Sequence, residues 1–176
     1  MTIQSKTIEY SHNGTTLEGY LAWDDARSGP RPGVLVGHAW AGRSEFENRK
    51  AEALAELGYV GFALDLYGKG VLGQNTDENA ALMQPFLDDR AMLQSRLQAA
   101  LTTLREQDTA DAGKTAIMGY CFGGLCALDL ARIGTDIAGA ISVHGLFNAP
   151  GNTTDIQAKV LVLHGWDDPM AQPDTV

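Results

Sequence analysis

Gly119-Tyr120-Cys121-Phe122-Gly123-Gly124 is the stretch of this 176-residue chain whose residue types and spacing could do chemistry. Ala116-Ile117-Met118 precedes it as a short apolar run, and Leu125, Leu128, Leu130 and Ile133 follow at helical spacing. The pattern predicts a buried strand, a sharp turn and a helix. A cysteine at the tip of such a turn is a nucleophile held on strained backbone, and Gly119 and Gly123 remove Cβ atoms that would collide across it. The helix behind the turn aims free N–H groups and its positive dipole end at the sulfur, which favours a thiolate. Cys121 is therefore expected to have a depressed pKa, and Cys126, inside the helix, to be inert. The same residues also describe a buried cysteine in a glycine-rich helix start, so the rest of the chain must separate the two readings.

Other residues capable of chemistry stand where apolar runs stop. Gly33 to Gly37 leads into His38 and Ala39-Trp40-Ala41-Gly42, Tyr59 to Leu64 into Asp65, and Ile137 to Val143 into His144. Lys159 to Leu163 leads into His164-Gly165-Trp166-Asp167-Asp168-Pro169. In open parallel sheets ligands bind beyond the carboxyl ends of the strands, so His38, Asp65, Cys121, His144 and Asp168 are candidates to share one site. His38 and His144 are read as packing or supporting residues, His164 as part of a turn and His12 as part of a hairpin. Trp166 reads as packing or pocket wall, and Asp167 as a solvated neighbour.

The elements that must position these residues follow a βαβ rhythm, which implies a parallel sheet with right-handed crossovers. Lys6 to Ser11 and Leu17 to Trp23 alternate apolar and polar residues around Asn13-Gly14, a hairpin signal that predicts an antiparallel edge. Ser44 with Glu47 predicts a capping box opening a helix that Gly58 stops near Leu57. Lys69 to Gln74 reads as a glycine-rich loop, and 76–87 and 88–107 read as helices. Leu93, Leu97, Leu101 and Leu104 form a stripe meant for the core. No repeat or linker divides the chain, and 1–176 reads as one domain able to bury a sizeable core.

Composition narrows the function. A formal charge of −9 argues against nucleic acid or an anionic membrane as partner. No apolar run approaches the roughly 20 residues of a membrane span, and the polar N-terminus lacks a signal-peptide pattern. Cys121 and Cys126 lie about 140° apart on a helix, so they are not expected to pair, and a cytoplasmic location follows from that thiol usage. No metal-ligand cluster or phosphate loop stands out, so no metal and no cofactor is expected.

Gly-Tyr-Cys-Phe-Gly-Gly, preceded by Ala-Leu-Asp-Leu-Tyr-Gly and followed by Leu-His-Gly-Trp-Asp-Asp-Pro, resembles the dienelactone hydrolase family from about Val34 to Pro169. The resemblance implies an α/β-hydrolase-like three-layer sandwich with a mostly parallel sheet, and an ester or lactone hydrolase with a Cys-Asp-His triad. Cys121 falls on the nucleophile and Asp168 on the triad acid. The oxyanion donors are then the N–H of Phe122 and an N–H from the loop after Gly37, by alignment that of Trp40, with Ala39 as the alternative. The substrate would be a small-molecule ester or lactone.

Three departures from the family pattern stand out. Ala39 replaces a glutamate that commonly follows the histidine. Gln74 to Leu87 carries no basic residue where the best-known members bind a substrate carboxylate, leaving Arg43, Lys69 and Arg90 as substitutes. No histidine follows Asp168, whereas the triad order requires one there. The expectation is an incomplete copy of a longer chain, lacking a C-terminal strand and helices, with an exposed strand at Lys159–Leu163 and no turnover of its own. His38 or His144 substituting for the base is the lesser alternative. A non-catalytic module with an inert thiol is the competing function.

Overall fold

The computed structural model describes residues 2–175. The expected antiparallel hairpin forms from β1 (Ile3–His12) and β2 (Thr15–Asp24), joined by Asn13 and Gly14 with φ +49° and +78°. Positive φ at both turn residues gives a two-residue link whose twist matches the strands, which is why Asn-Gly stands there. The chain continues through β3 (Arg31–Gly37), α1 (Glu45–Glu56), β4 (Val60–Ala63), α2 (Thr76–Asp88) and α3 (Arg90–Arg105). It ends through β5 (Ala110–Tyr120), α4 (Phe122–Arg132), β6 (Gly139–Val143), β7 (Lys159–Leu163) and a 3₁₀ turn at Pro173–Thr175.

The seven strands form one sheet in the order β1-β2-β4-β3-β5-β6-β7, and every pair from β4 to β7 is parallel. This is the α/β-hydrolase-like arrangement that the sequence resemblance implied. α1 packs on one face through Ala51 and Ala55, against Ala22, Val36 and Ala63. Its contact is close because Gly61 has no Cβ: one would lie 2.3 Å from the Ala51 carbonyl oxygen. The opposite face carries the main core, where Leu93, Leu97, Leu101 and Leu104 of α3 meet Ile117 of β5 and Leu125 of α4.

Two boundaries differ from the sequence reading. β5 starts at Ala110, several residues before the apolar run, because a bulge places Asp111 beside Pro32 and Thr115 beside Gly33. Asp111 turns the intervening residues by accepting from Gly113 N–H, so a turn is carried inside the strand. The second helix pair breaks at Asp89, whose side chain caps α3 by accepting from Met92 N–H.

β7 is the sheet edge, and Val160, Leu161 and Leu163 are 44%, 49% and 51% exposed. Met118, Tyr120, Ile141 and Val143, in register with Leu161 and Leu163, are only half-buried on the same face. The expected exposed apolar strand at Lys159–Leu163 is therefore present.

One buried ion cluster ties the helices to the loop after β6. Asp129 of α4 is fully buried and receives Arg90 Nε at 2.7 Å and Nη2 at 2.5 Å, with Arg132 Nη1 at 3.3 Å. Arg132 also donates to the carbonyls of Phe147 and Asn148. Removing one member leaves the others without a counter-charge, so Asp129→Ala is expected to lower stability by about 3–5 kcal/mol. A urea midpoint equal to that of the unaltered protein would show that the cluster contributes nothing.

Candidate active site

Cys121 sits where β5 turns into α4, with φ +55° and ψ −115°, a conformation that L-residues rarely adopt. Three glycines hold it there. A Cβ on Gly119 would fall 2.0 Å from the Gly123 carbonyl oxygen, and one on Gly123 would fall 2.2 Å from that of Gly37. The backbones of β3, β5 and α4 therefore meet directly beneath Cys121. Cys121 N–H donates to Val143 of the neighbouring strand at 2.9 Å, so the turn cannot relax without parting these elements.

The N–H groups of Phe122 and Trp40 face the Cys121 sulfur and favour its charged form. Phe122 opens α4, where the first N–H groups have no partner inside the helix. Trp40 comes from the loop after β3, and that loop is pinned: Tyr67 Oη donates to the Trp40 carbonyl at 2.9 Å and Gly73 N–H to that of Ala41 at 3.0 Å. Phe122 is itself fully buried, its ring stacked with Tyr67 at 6.1 Å and packed beside His38 and Phe86. Ala39 N–H faces Glu47 Oε1 at 3.4 Å instead of the sulfur.

The expected low pKa of Cys121 is not found. Burial pushes the thiol above its ordinary value, and the nearby negative charge of Asp168 adds to this. The two N–H donors pull the other way and do not prevail: the half-buried sulfur loses more hydration than the helix terminus returns. Cys126 is fully buried and pushed up further by the same cause. Below its pKa the thiol is protonated and unreactive, so alkylation of Cys121 by iodoacetamide should climb with pH. It should level off only above the ordinary thiol value of about 8.5, with Cys126 unlabelled in the folded protein. An inflection at or below that value would overturn the burial argument.

Asp168 is buried beyond β7, and Met170 N–H donates to its Oδ1 at 2.9 Å. That bond holds the carboxyl below its usual range against the effect of burial, helped by His144 and His164. His144 Nδ1 lies 2.5 Å from Asp168 Oδ2 and His164 Nε2 lies 3.3 Å from it. The distances are short but the directions are poor, and Oδ2 has no aligned donor. His144 thus lies against the Asp168 carboxylate and is not only a packing residue. It is 59% exposed, has φ +54°, and follows Val143, which pairs in register with Tyr120 beside Cys121. The groups that favour the Cys121 thiolate are the backbone N–H groups of Phe122 and Trp40, and neither His144 nor His164 is among them.

The remaining candidates separate cleanly. Asp65 points inward, accepting from the N–H groups of Glu18, Tyr67 and Gly68, and organises the loop after β4 instead of touching the thiol. His12 bonds Ser95 at the end of the hairpin. Trp166 is 78% exposed and lines a cleft of about 230 Å³ with His164 and Ala171. The three cations weighed as carboxylate binders are all engaged. Arg43 holds Glu18 and Asn48, Lys69 pairs with Glu9 and Glu18, and Arg90 holds Asp129. Tyr67 and Glu47 support the site without having been singled out for it, since no spacing rule marks a residue that fixes another residue's backbone. Among the described residues no group of three or more His, Cys, Asp or Glu could hold a metal ion, and no helix is long and apolar enough to cross a membrane.

Comparison with known proteins gives this geometry relatives. A solved structure of a dienelactone hydrolase-like promiscuous phosphotriesterase from metagenomic libraries superposes with a TM-score of 0.93 at 35% identity, over 99% of this chain and 74% of that one. A probable 2-oxo-3-(5-oxofuran-2-ylidene)propanoate lactonase from Bradyrhizobium is 31% identical over 135 residues, covering 74% of this chain and 52% of its own. An uncharacterised Caenorhabditis elegans protein is 44% identical over 59 residues, 33% of this chain and 37% of its own. The chain thus spans about half or less of the length of these two curated relatives. The dienelactone hydrolase family model matches residues 17–176, and the chain belongs to the dienelactone hydrolase family.

Proposed function

We propose that the chain carries the acyl-accepting site of an ester or lactone hydrolase, with Cys121 as nucleophile. The observation that supports this most is the meeting of two backbone N–H donors, from Phe122 and Trp40, at one strained cysteine. They come from elements far apart in sequence, and a merely structural thiol needs neither. In the proposed step the Cys121 thiolate adds to the substrate carbonyl carbon. A C–S bond forms, and the carbonyl π pair moves onto oxygen, where the two N–H groups stabilise it. Collapse expels the alcohol oxygen as an alkoxide, which takes a proton from solvent, and leaves a thioester. Water then adds to the thioester, gives a proton back to solvent and expels the thiolate, releasing the acid.

Asp168 is the carboxylate suited to orienting a general base, because it is buried with its Oδ2 turned to the imidazoles of His144 and His164. Because Arg43, Lys69 and Arg90 are all engaged, an ester or lactone without a carboxylate fits the site better than an anionic one. The lactonase name of the Bradyrhizobium relative agrees with the reaction class, although the substrate in that name, a propanoate, carries a carboxylate. Two unpaired thiols suit a reducing compartment such as the cytoplasm.

The non-catalytic module keeps one observation in its favour, the raised pKa of Cys121. Treatment with p-nitrophenyl acetate separates the two readings. The hydrolase reading expects an acetyl group on the peptide containing Cys121, found by mass spectrometry, with matching release of p-nitrophenol. Acetylation spread over lysines with Cys121 untouched would favour the module.

A further inference from the structure

We propose that His38 is a positioning residue of the oxyanion hole, orienting the Ala39–Trp40 peptide so that Trp40 N–H faces the oxygen that becomes negative during acylation of Cys121. The inference rests on the acyl-transfer reading above. His38 is fully buried at the end of β3 and touches no substrate position itself. Its Nε2 lies 3.2 Å from Leu66 N–H, a group that can only donate, so Nε2 is the acceptor. Its Nδ1 lies 2.6 Å from the Ala39 carbonyl oxygen, which can only accept, so Nδ1 carries the proton. Two backbone groups from the loops after β3 and β4 therefore fix one neutral tautomer. Burial also lowers the pKa of His38, which keeps the ring in that neutral form.

The consequence lies in the peptide unit. The Ala39 carbonyl and Trp40 N–H belong to the same planar amide and point in opposite directions. Holding the oxygen toward His38 therefore holds the N–H toward Cys121. Gly42 N–H donates to the same oxygen at 3.2 Å and closes the loop over it. A hydrogen bond accepted at an amide oxygen also polarises the amide and strengthens its N–H as a donor. The path runs from Leu66 N–H to His38, from His38 to the Ala39 carbonyl, and from Trp40 N–H to the Cys121 sulfur.

The test compares two reactions of Cys121 in the unaltered protein and in His38→Asn, His38→Gln and His38→Leu. Acetylation by p-nitrophenyl acetate passes through an oxyanion. Alkylation by iodoacetamide displaces iodide at a saturated carbon and forms none. Both rates are extrapolated to the fully ionised thiol. His38→Gln and His38→Leu should slow acetylation about tenfold or more, since a lost donor costs about a hundredfold and here one donor is only misaligned. Alkylation should stay within about twofold, because it depends on the thiolate alone. His38→Asn, whose side-chain nitrogen stands where Nδ1 does, should recover most of the acetylation rate. If His38→Leu does not fold, the Asn–Gln pair decides.

Equal acetylation by Asn and Gln variants, or acetylation and alkylation falling together, would overturn the proposal. An unaltered protein that is not acetylated at Cys121 would instead remove the acyl-transfer reading on which the proposal rests.

Discussion

Replacing Cys121 with alanine is expected to abolish the p-nitrophenol burst, with a fall of several powers of ten in acylation rate. No other group at the site can take its place: Cys126 is sealed inside α4 and its thiol is pushed well up. Glycine at the same position makes a sharper test. Cys121 has φ +55°, where a side chain costs about 1–3 kcal/mol and glycine costs little. Against this, glycine adds about 0.5–1 kcal/mol of backbone entropy to folding. Cys121→Gly should therefore lose the burst as completely as Cys121→Ala while unfolding at an equal or higher denaturant concentration. A residue that is strained for chemistry should show this opposition, whereas a cysteine retained for packing should lose stability on truncation. A Cys121→Gly protein markedly less stable than Cys121→Ala would oppose the nucleophile assignment.

The sequence made the outer parts of this arrangement legible and left the inner ones obscure, for physical reasons. Alternation around Asn13-Gly14, the buried run before Cys121 and the Ser44–Glu47 capping box depend on contacts local in sequence, and all three appear in the structure. The collision that excludes side chains at Gly119 and Gly123 was also readable, because it occurs across one turn. The pKa of Cys121 was not. A helix terminus can be seen in a sequence, but the desolvation that outweighs it depends on how closely the loop after β3 covers the sulfur. The pairing of His144 with Asp168 was equally hidden, since it joins the ends of two strands through an unusual backbone angle at His144. His38 and Tyr67 act through the backbone of Trp40, and neither hydrogen bond leaves a trace in residue spacing.

Converting the Phe122 amide to an ester, with phenyllactic acid in place of phenylalanine, is expected to slow acetylation of Cys121 on the order of a hundredfold or more. The exchange substitutes oxygen for the N–H and leaves the side chain intact. That restriction matters, because the ring is fully buried among His38, Tyr67 and Phe86, and Phe122→Ala would cost about 3–5 kcal/mol of stability. Proline would also delete the N–H, but the residue before proline favours ψ near +120° to +160° and Cys121 has ψ −115°. The ester loses no helix hydrogen bond at the N–H, which has no partner within the helix, and its stability cost comes from the Cys121 carbonyl, which as an ester accepts less strongly from Gly124 and Leu125 N–H. Alkylation of the ionised thiol, which builds no oxyanion, should change little. Combining the ester with His38→Gln should then bring acetylation close to the rate of a free thiol, since both donors to the oxyanion have been weakened. An ester protein that folds and acetylates at the unaltered rate would show that the Phe122 N–H holds only the resting sulfur, and would remove it from the oxyanion hole.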